Sequence, residues 1–426
     1  MKKTFTVLSV ALASTFFLLP SLILHAKSAT GSDSISMGPA YANDVYYSMA
    51  NGTVQTSPRA TWDIAFRTLK LSSSILINDG SGVVLYTYPK SDTSGWASVD
   101  TSGLWGWKAL YNDPADWENG AFMRNATGHP DYGWGIYNMV THNLTGDSLF
   151  VIKLRDGSFR KLRIISKQSA ANIYTFRYAM LDGSDERTVS EDLNNVVNTD
   201  FSGYSLQTHQ RVAFQPDKSS WDILFTKYMS VQQNGTPYVV TGVLSNIDVS
   251  SKKFHPVELN YNDFGAGQWD STRSSIGWDW KVFDMGSFAY KIVDSTVYFV
   301  KPANGDIYKL VFTAFAGSAT GVVKFDQAKA AGAWIGGPVQ PTIETIVYPN
   351  PARERINIII PGVSGEELSL FLTDLTGRQL RADQPVSVAD GSTVYSMDVT
   401  GVQPGIYFVT ASCAAGKSVT KVLITR

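Results

Sequence analysis

The chain has 426 residues, 44% of them hydrophobic and 12% aromatic, which is enough for several cores and suggests two to three domains. Its 36 basic and 37 acidic side chains leave a net charge of −1, so it has no electrostatic footprint for DNA or RNA and nucleic acid is excluded as a partner. A single cysteine, Cys413, rules out an intrachain disulfide, and stability must come from packing.

Residues 1–29 carry Lys2 and Lys3, an apolar stretch from Phe5 to Leu24, and small residues at Ala26 and Ala29 where a peptidase would cut. This is the layout of a secretory signal peptide. A membrane anchor is the alternative for an apolar run of roughly 20 residues, but Pro20 and the trailing Ala-Lys-Ser-Ala favour cleavage. No other run approaches that length, so no transmembrane span is expected after signal removal.

Next comes TWDIAFRTL (61–69), echoed by SWDILFTKY (220–228). Each copy follows a Tyr-Ser-(Met/Leu) strand, a polar turn and a Pro. Downstream, GWGIYNM (133–139) is matched by GWDWKVFDM (277–285), and DSLFVIKLRDGSFRKLRI (147–164) by STVYFVKPANGDIYKLVF (295–312). Ordered matches at so long a period indicate a duplicated domain rather than a solenoid. Both copies alternate like β-strands. Asp156-Gly157 and Asn304-Gly305 predict hairpins with type I′ turns, and Tyr308, Leu310 and Phe312 form the expected core face of their strand. Helical periodicity is scarce, its best candidate being SEDLNNVVN (190–198). The first copy also contains an insert from Trp96 to Gly120 with four Trp, either buried rings or a binding edge.

After Phe325 the chain turns Gly/Pro/Ala-rich, and from about Ile343 short strands alternate with turns, as in a small β-sandwich. Cys413 reads there as a small core residue. The expected organisation is a signal peptide (1–29), two related domains (38–192 and 198–328), a linker (329–342) and a C-terminal unit (343–426), all mainly β.

The C-terminal unit closely resembles the type A C-terminal sorting domain of the Bacteroidota type IX secretion system. The residues that carry this are Tyr348-Pro349-Asn350-Pro351, Asp374 to Arg378 with Gly377, Gly405-Ile406-Tyr407, and Lys421-Val422. The resemblance implies that the type IX machinery is a partner and that the protein is secreted or attached to the outer cell surface.

The duplicated part resembles two tandem HmuY domains, an all-β fold of secreted haem-capturing proteins. The motifs are Trp62-Asp63, Trp221-Asp222 and the hairpin from Val297 to Phe325, with the second copy the closer match. That family holds haem between two axial side chains and passes it to an outer-membrane receptor. One family ligand is the His of a Phe-x-His-Gly text, which here reads Phe283-Asp284-Met285-Gly286. The resemblance therefore makes Met285 an axial candidate, since thioether can ligate haem iron, and Met139 its counterpart in the first copy. Both Met also fit as fillers of an aromatic core beside Trp134, Trp278 and Trp280. For the second ligand, His129 and His255 are candidates, although each precedes a Pro in a polar, turn-like stretch.

An enzyme is not expected. There is no Gly-x-Ser-x-Gly elbow, His-Glu-x-x-His, Cys-x-x-Cys, phosphate loop or dinucleotide fingerprint. The repetition of Trp62-Asp63 at Trp221-Asp222 argues for structure: Trp filling a core and Asp bonding backbone where a strand begins. The competing reading is a surface module that binds a polysaccharide or protein instead of haem.

Overall fold

The computed structural model describes residues 30–330, except 197 and 233, and residues 345–425, except 360–366, 375–377, 383–385, 388–393 and 414–415. The signal peptide, most of the linker and Gly377 lie outside the described residues. The chain divides into two compact units, 1–332 and 333–426.

The first unit opens with β1 (Thr30–Ser36), β2 (Asn43–Ser48), β3 (Gly52–Pro58), β4 (Ile64–Arg67) and β5 (Ile75–Ile77). There follow β6 (Val84–Thr87), β7 (Ala109–Leu110), β8 (Gly135–Tyr137), β9 (Leu144–Gly146), β10 (Phe150–Lys153), β11 (Phe159–Gln168) and β12 (Ile173–Met180). At the boundary lies β13 (Arg187–Asp192), and the second repeat supplies β14 (Phe201–Ser205), β15 (Gln210–Val212), β16 (Ile223–Val231), β17 (Pro237–Ser245) and β18 (Ser250–Phe254). It ends with β19 (Lys281–Asp284), β20 (Ala289–Ile292), β21 (Val297–Lys301), β22 (Tyr308–Phe315) and β23 (Val322–Lys329). Every helix among the described residues is a short 3₁₀ turn.

The repeats do not fold separately; they exchange their first strands. Strands β2 and β3 extend the sheet of β16 and β17, while β14 and β15 extend that of β4 and β5, giving sheet orders β17-β16-β2-β3 and β15-β14-β4-β5. The registers correspond: Tyr47 lies opposite Ile223, and Tyr204 opposite Ile64. Likewise β1 pairs with β23 and β13 with β12. The first core accordingly contains Ile64, Phe66, Trp134, Phe150 and Tyr174 together with Leu193, Tyr204 and Leu206. The second contains Phe225, Trp280, Tyr298 and Phe325 together with Ile35, Val45, Tyr47 and Met49. The sequence boundaries 38–192 and 198–328 follow the repeat, not the packing. Segment 59–216 forms one body, and residues 30–58 with 217–330 form the other.

Two further expectations need correction. At both Asp/Asn-Gly hairpins only the glycines have positive φ, +85° at Gly157 and +82° at Gly305. Their N–H groups donate to Leu154 and Pro302 carbonyls at 2.9 Å. The turns are therefore type I with a glycine bulge, Arg155-Asp156 and Ala303-Asn304 at the corners, and not type I′. SEDLNNVVN is not helical; Ser190 to Asp192 end β13, whose Glu191 lies opposite Tyr174. Pairing to an existing sheet edge overrides a helical pattern too short to nucleate. Tyr308, Leu310 and Phe312 do face the core, but Val311 is also buried, against Val297 and Phe299 on the opposite face of the sheet.

The two bodies meet closely. A Cβ on Gly80 would collide with the Lys227 carbonyl, so only glycine fits there. Trp117 of the insert donates to the Ser245 carbonyl at 2.9 Å and carries the Arg273 guanidinium 4.0 Å above its ring. Beside it, a cavity of about 50 Å³ is lined by Asp79, Asn112, Tyr228 and Arg273. Burial raises the Asp79 carboxyl to about 6, opposed by the nearby Arg273 charge.

The C-terminal unit is a two-sheet sandwich. Its strands are β24 (Ile346–Tyr348), β25 (Arg355–Ile359), β26 (Glu367–Thr373), β27 (Gln379–Ala382), β28 (Val386–Ser387), β29 (Val394–Asp398), β30 (Gly405–Cys413) and β31 (Gly416–Ile424). Sheet β24-β25-β29 covers sheet β27-β26-β30-β31 around Ile356, Leu370, Met397, Val409 and Cys413.

The exchange predicts fragment behaviour. Segment 59–216 expressed alone should unfold cooperatively in urea. Segment 38–192, which lacks β14 and leaves the β2–β3 hairpin unpaired, should not. Circular dichroism of both fragments checks this, and a cooperative 38–192 would contradict the exchange.

A buried lysine predicts a pH effect. Lys281 lies 4.1 Å over Trp280 and 4.9 Å over Phe315, and burial lowers its ammonium to about 7. Because the unfolded lysine keeps its proton up to about 10.4, the unfolded state binds more protons above pH 7. Stability should therefore rise with pH from there, by at most ~1.4 kcal/mol per pH unit. Urea midpoints at pH 7 and 8 should show this rise in the native chain and a flatter profile in Lys281→Met.

Candidate functional site

The Trp-Asp pairs hold the exchange together. Trp62 stacks on Phe214 with centroids 4.6 Å apart, and Trp221 meets Tyr46 edge-on at 5.1 Å. Each Trp thus packs on a ring of the other repeat, Tyr46 on β2 and Phe214 just past β15. The backbone N–H of Asp63 donates to Tyr204 and that of Asp222 to Tyr47, at 2.9 and 2.8 Å. Their carboxylates accept in return: Asp63 from the Leu206 N–H at 2.8 Å, Asp222 from the Met49 N–H at 2.6 Å. Sequence reasoning missed Asn78 and Asn246, whose side-chain amides donate to the Trp62 and Trp221 carbonyls at 2.9 and 2.8 Å. They lie at different spacings from their Trp, so no repeat signal marked them.

The copies differ at one point. Arg155 Nη1 reaches Asp63 Oδ1 at 2.9 Å. Among the described residues Asp222 has no such cation, and burial raises its carboxyl, opposed by hydrogen bonds from Met49 and Ser48.

Met139 and Met285 are in neither core. They are 71% and 70% exposed at the tips of equivalent hairpins, β8–β9 and β19–β20, so the expectation of core fillers is corrected. Trp134 and Trp280, by contrast, are fully buried at the hairpin bases. The tips are built alike. Asn138 Oδ1 accepts the N–H groups of Val140 and Thr141, while Asp284 accepts the Gly286 N–H and the Ser287 hydroxyl. An acceptor side chain of this kind stabilises a tight turn in place of backbone partners. Lys291 beside Asp284 holds that carboxyl down to about 2. His142 and Phe288 occupy matching left-handed positions, at φ +58° and +51°. For non-glycine residues such backbone is strained and clusters at binding sites.

The first tip gathers ligating groups. Tyr137 lies 2.6 Å through its hydroxyl from His142 Nδ1, and its ring lies 5.3 Å from that of His129. Met139, His142 and His129 therefore share one hairpin region, and sequence reasoning passed over His142. At the second tip Phe288 replaces the imidazole, beside exposed Val282 and Phe283. His255 is not brought to that tip's turn; its Nδ1 lies 2.9 Å from the Thr296 hydroxyl at the start of β21. His209 lies 2.8 Å from the Tyr178 hydroxyl and 3.3 Å from Asp185, at the exchanged edge. Among the described residues no cluster of His, Cys, Asp and Glu is arranged to hold a bare metal ion.

The Trp-rich insert is mixed. Trp96 is buried, donates to Glu186 and lies under Arg177 at 4.5 Å, whereas Trp105 is 96% exposed.

In the C-terminal unit the motif residues close the sandwich. Asn350, between Pro349 and Pro351, donates to the Lys421 carbonyl at 3.0 Å and accepts the Leu423 N–H at 2.9 Å. This pins the last strand to the first turn. Tyr348 is partly exposed, and the Tyr407 hydroxyl donates to the Gln403 carbonyl at 2.7 Å across the turn that contains Gly405.

Residues 346–425 match the family of the secretion system C-terminal sorting domain. No curated protein matches the chain. Among solved structures, PorZ, described as an essential surface component of the type IX secretion system of Porphyromonas gingivalis, is 12% identical over 75% of this chain and 50% of its own, with a TM-score of 0.15. The chain spans about half of that structure, and so slight a likeness carries no argument about the first unit. The C-terminal unit, with its motif residues fastening the last strand, is a type IX sorting domain, and the protein is secreted and attached to the cell surface by that route.

Proposed function

We propose that the protein is a non-catalytic binding protein of the cell surface, and that the first projecting hairpin captures haem or a related porphyrin for transfer to an outer-membrane receptor. The observation that carries this is the grouping of His142 and His129 around Tyr137, with Met139 exposed in the tip of the same hairpin. Imidazole nitrogen and thioether sulfur are the axial ligands that hold haem iron in other proteins. Exposed Val140 adds an apolar surface at the same tip, where a porphyrin ring would be desolvated. The resemblance of the repeat motifs to HmuY domains supports the same reading. The imidazoles beside Tyr137 favour the first copy over the second, where Phe288 stands for His142.

A second reading rests on the other tip. Met285 and Phe288 are 70% and 76% exposed without a ligating imidazole, which suits a partner protein or polymer better than a metal porphyrin.

A visible titration of the full chain with oxidised and reduced haem separates the two. A saturable Soret shift is expected, weakened at least tenfold in Met139→Ala and His142→Ala and unchanged in Met285→Ala. No shift at micromolar protein in either redox state would sink haem capture and leave the second reading.

A further inference from the structure

The duplication supplies its own comparison at the Trp-Asp motif. In both repeats the strand after the motif's sheet ends in the same turn, with the Gly157 and Gly305 N–H groups bonded to Leu154 and Pro302 at 2.9 Å. The flanking registers agree, Phe150 opposite Leu162 and Tyr298 opposite Leu310. Arg155 and Ala303 therefore occupy the same corner. In the first repeat Arg155 lies 2.9 Å from Asp63 and 3.4 Å from the Trp62 carbonyl. In the second, the side chain ends at Cβ, and a groove of about 930 Å³ opens over Asp222, Trp221, Asn246, Ala303 and Asn304. Asp222 keeps its bond from Met49, but among the described residues no cation pairs with it. Two other cations line the groove. Arg67 is committed to Glu118 and Asp200, and Lys218 is exposed without an ion pair among the described residues.

We propose that the groove at Asp222 accepts the guanidinium of an arginine from another polypeptide, in the position that Arg155 occupies against Asp63. The carboxylate supplies the charge, and the Trp221 carbonyl supplies a second acceptor beside it, as the Trp62 carbonyl does for Arg155 Nη1. Arginine is preferred over lysine because a guanidinium fills the equivalent corner in the first repeat, where Arg155 Nη1 reaches both Asp63 and the Trp62 carbonyl, and because it is more weakly hydrated than an ammonium. The site is separate from the hairpin tips and does not depend on haem binding.

Calorimetry on the full chain tests this with the peptide acetyl-Gly-Arg-Gly-amide, its lysine counterpart and methylguanidinium. The expected result is one site for the arginine peptide and at least tenfold weaker binding of the other two. Ala303→Arg fills the corner from within and should reduce peptide binding at least tenfold without lowering the melting temperature. Arg155→Ala should open the matching site at Asp63 and raise the stoichiometry from one to two. Absence of binding at millimolar peptide, binding unaffected by Ala303→Arg, or equal binding of the lysine peptide would each overturn the proposal. Methylguanidinium binding as tightly as the peptide would overturn the assignment to a polypeptide partner.

Discussion

The first unit depends on a reciprocal hydrogen bond. Two aspartates, Asp63 buried and Asp222 partly so, each at the start of a strand in its own repeat, accept a backbone N–H from the residue that follows a strand of the other repeat. A buried carboxylate is costly unless it is bonded, and an N–H of fixed geometry is a strong partner for it. Each aspartate thus takes a backbone partner from the other repeat, Asp63 beside the Arg155 of its own repeat and Asp222 without such a cation among the described residues. The Trp beside each Asp adds apolar contact across the same junction, so polar pairing and burial both favour exchange over two separate domains.

The same constraint shapes the contact between the bodies. Because the chain crosses from one body to the other on either side of segment 59–216, the Trp-rich insert can lie against the second body without a long linker. Trp117 spans this contact, under the Arg273 guanidinium and bonded to Ser245. Arg273 is held mainly by that ring and the field of Asp79, and its Nε and Nη1 have no protein partner in the buried cavity. A buried cation held over a ring contributes more than an exposed one, and this contact ties the two bodies together.

Much of this was legible in the sequence. The repeat, its β class, the buried Trp-Asp pairs and the C-terminal sandwich all follow from patterns that local chemistry writes into a strand: alternation, turn residues and recurrent motifs. What the sequence could not give was which strand pairs with which. Tyr47 and Tyr204 occupy equivalent positions in their repeats, and alternation alone is equally satisfied by pairing within a repeat or across repeats. The alternative of core-filling methionines failed for a related reason. Met139 and Met285 follow aromatic text, but the acceptor side chains of Asn138 and Asp284 fold the next residues into a tip and turn them outward. His142 was not singled out because the text around it matches no ligand text of the resembled family, and its counterpart in the second repeat is a phenylalanine.

The insertion of one body within the other also orders synthesis. Segment 59–216 leaves the ribosome with all of its strands present, whereas the β2–β3 hairpin has no sheet to join until Ile223 and its neighbours have emerged. In that interval Tyr46, Val45 and Tyr47 form an apolar hairpin with an open edge, the kind of surface that pairs with other chains. Non-local pairing of this sort is slow, and a protein bound for the cell exterior must remain soluble through the delay. The N-terminal hairpin is thus the part of this chain with most to gain from a holding chaperone before export.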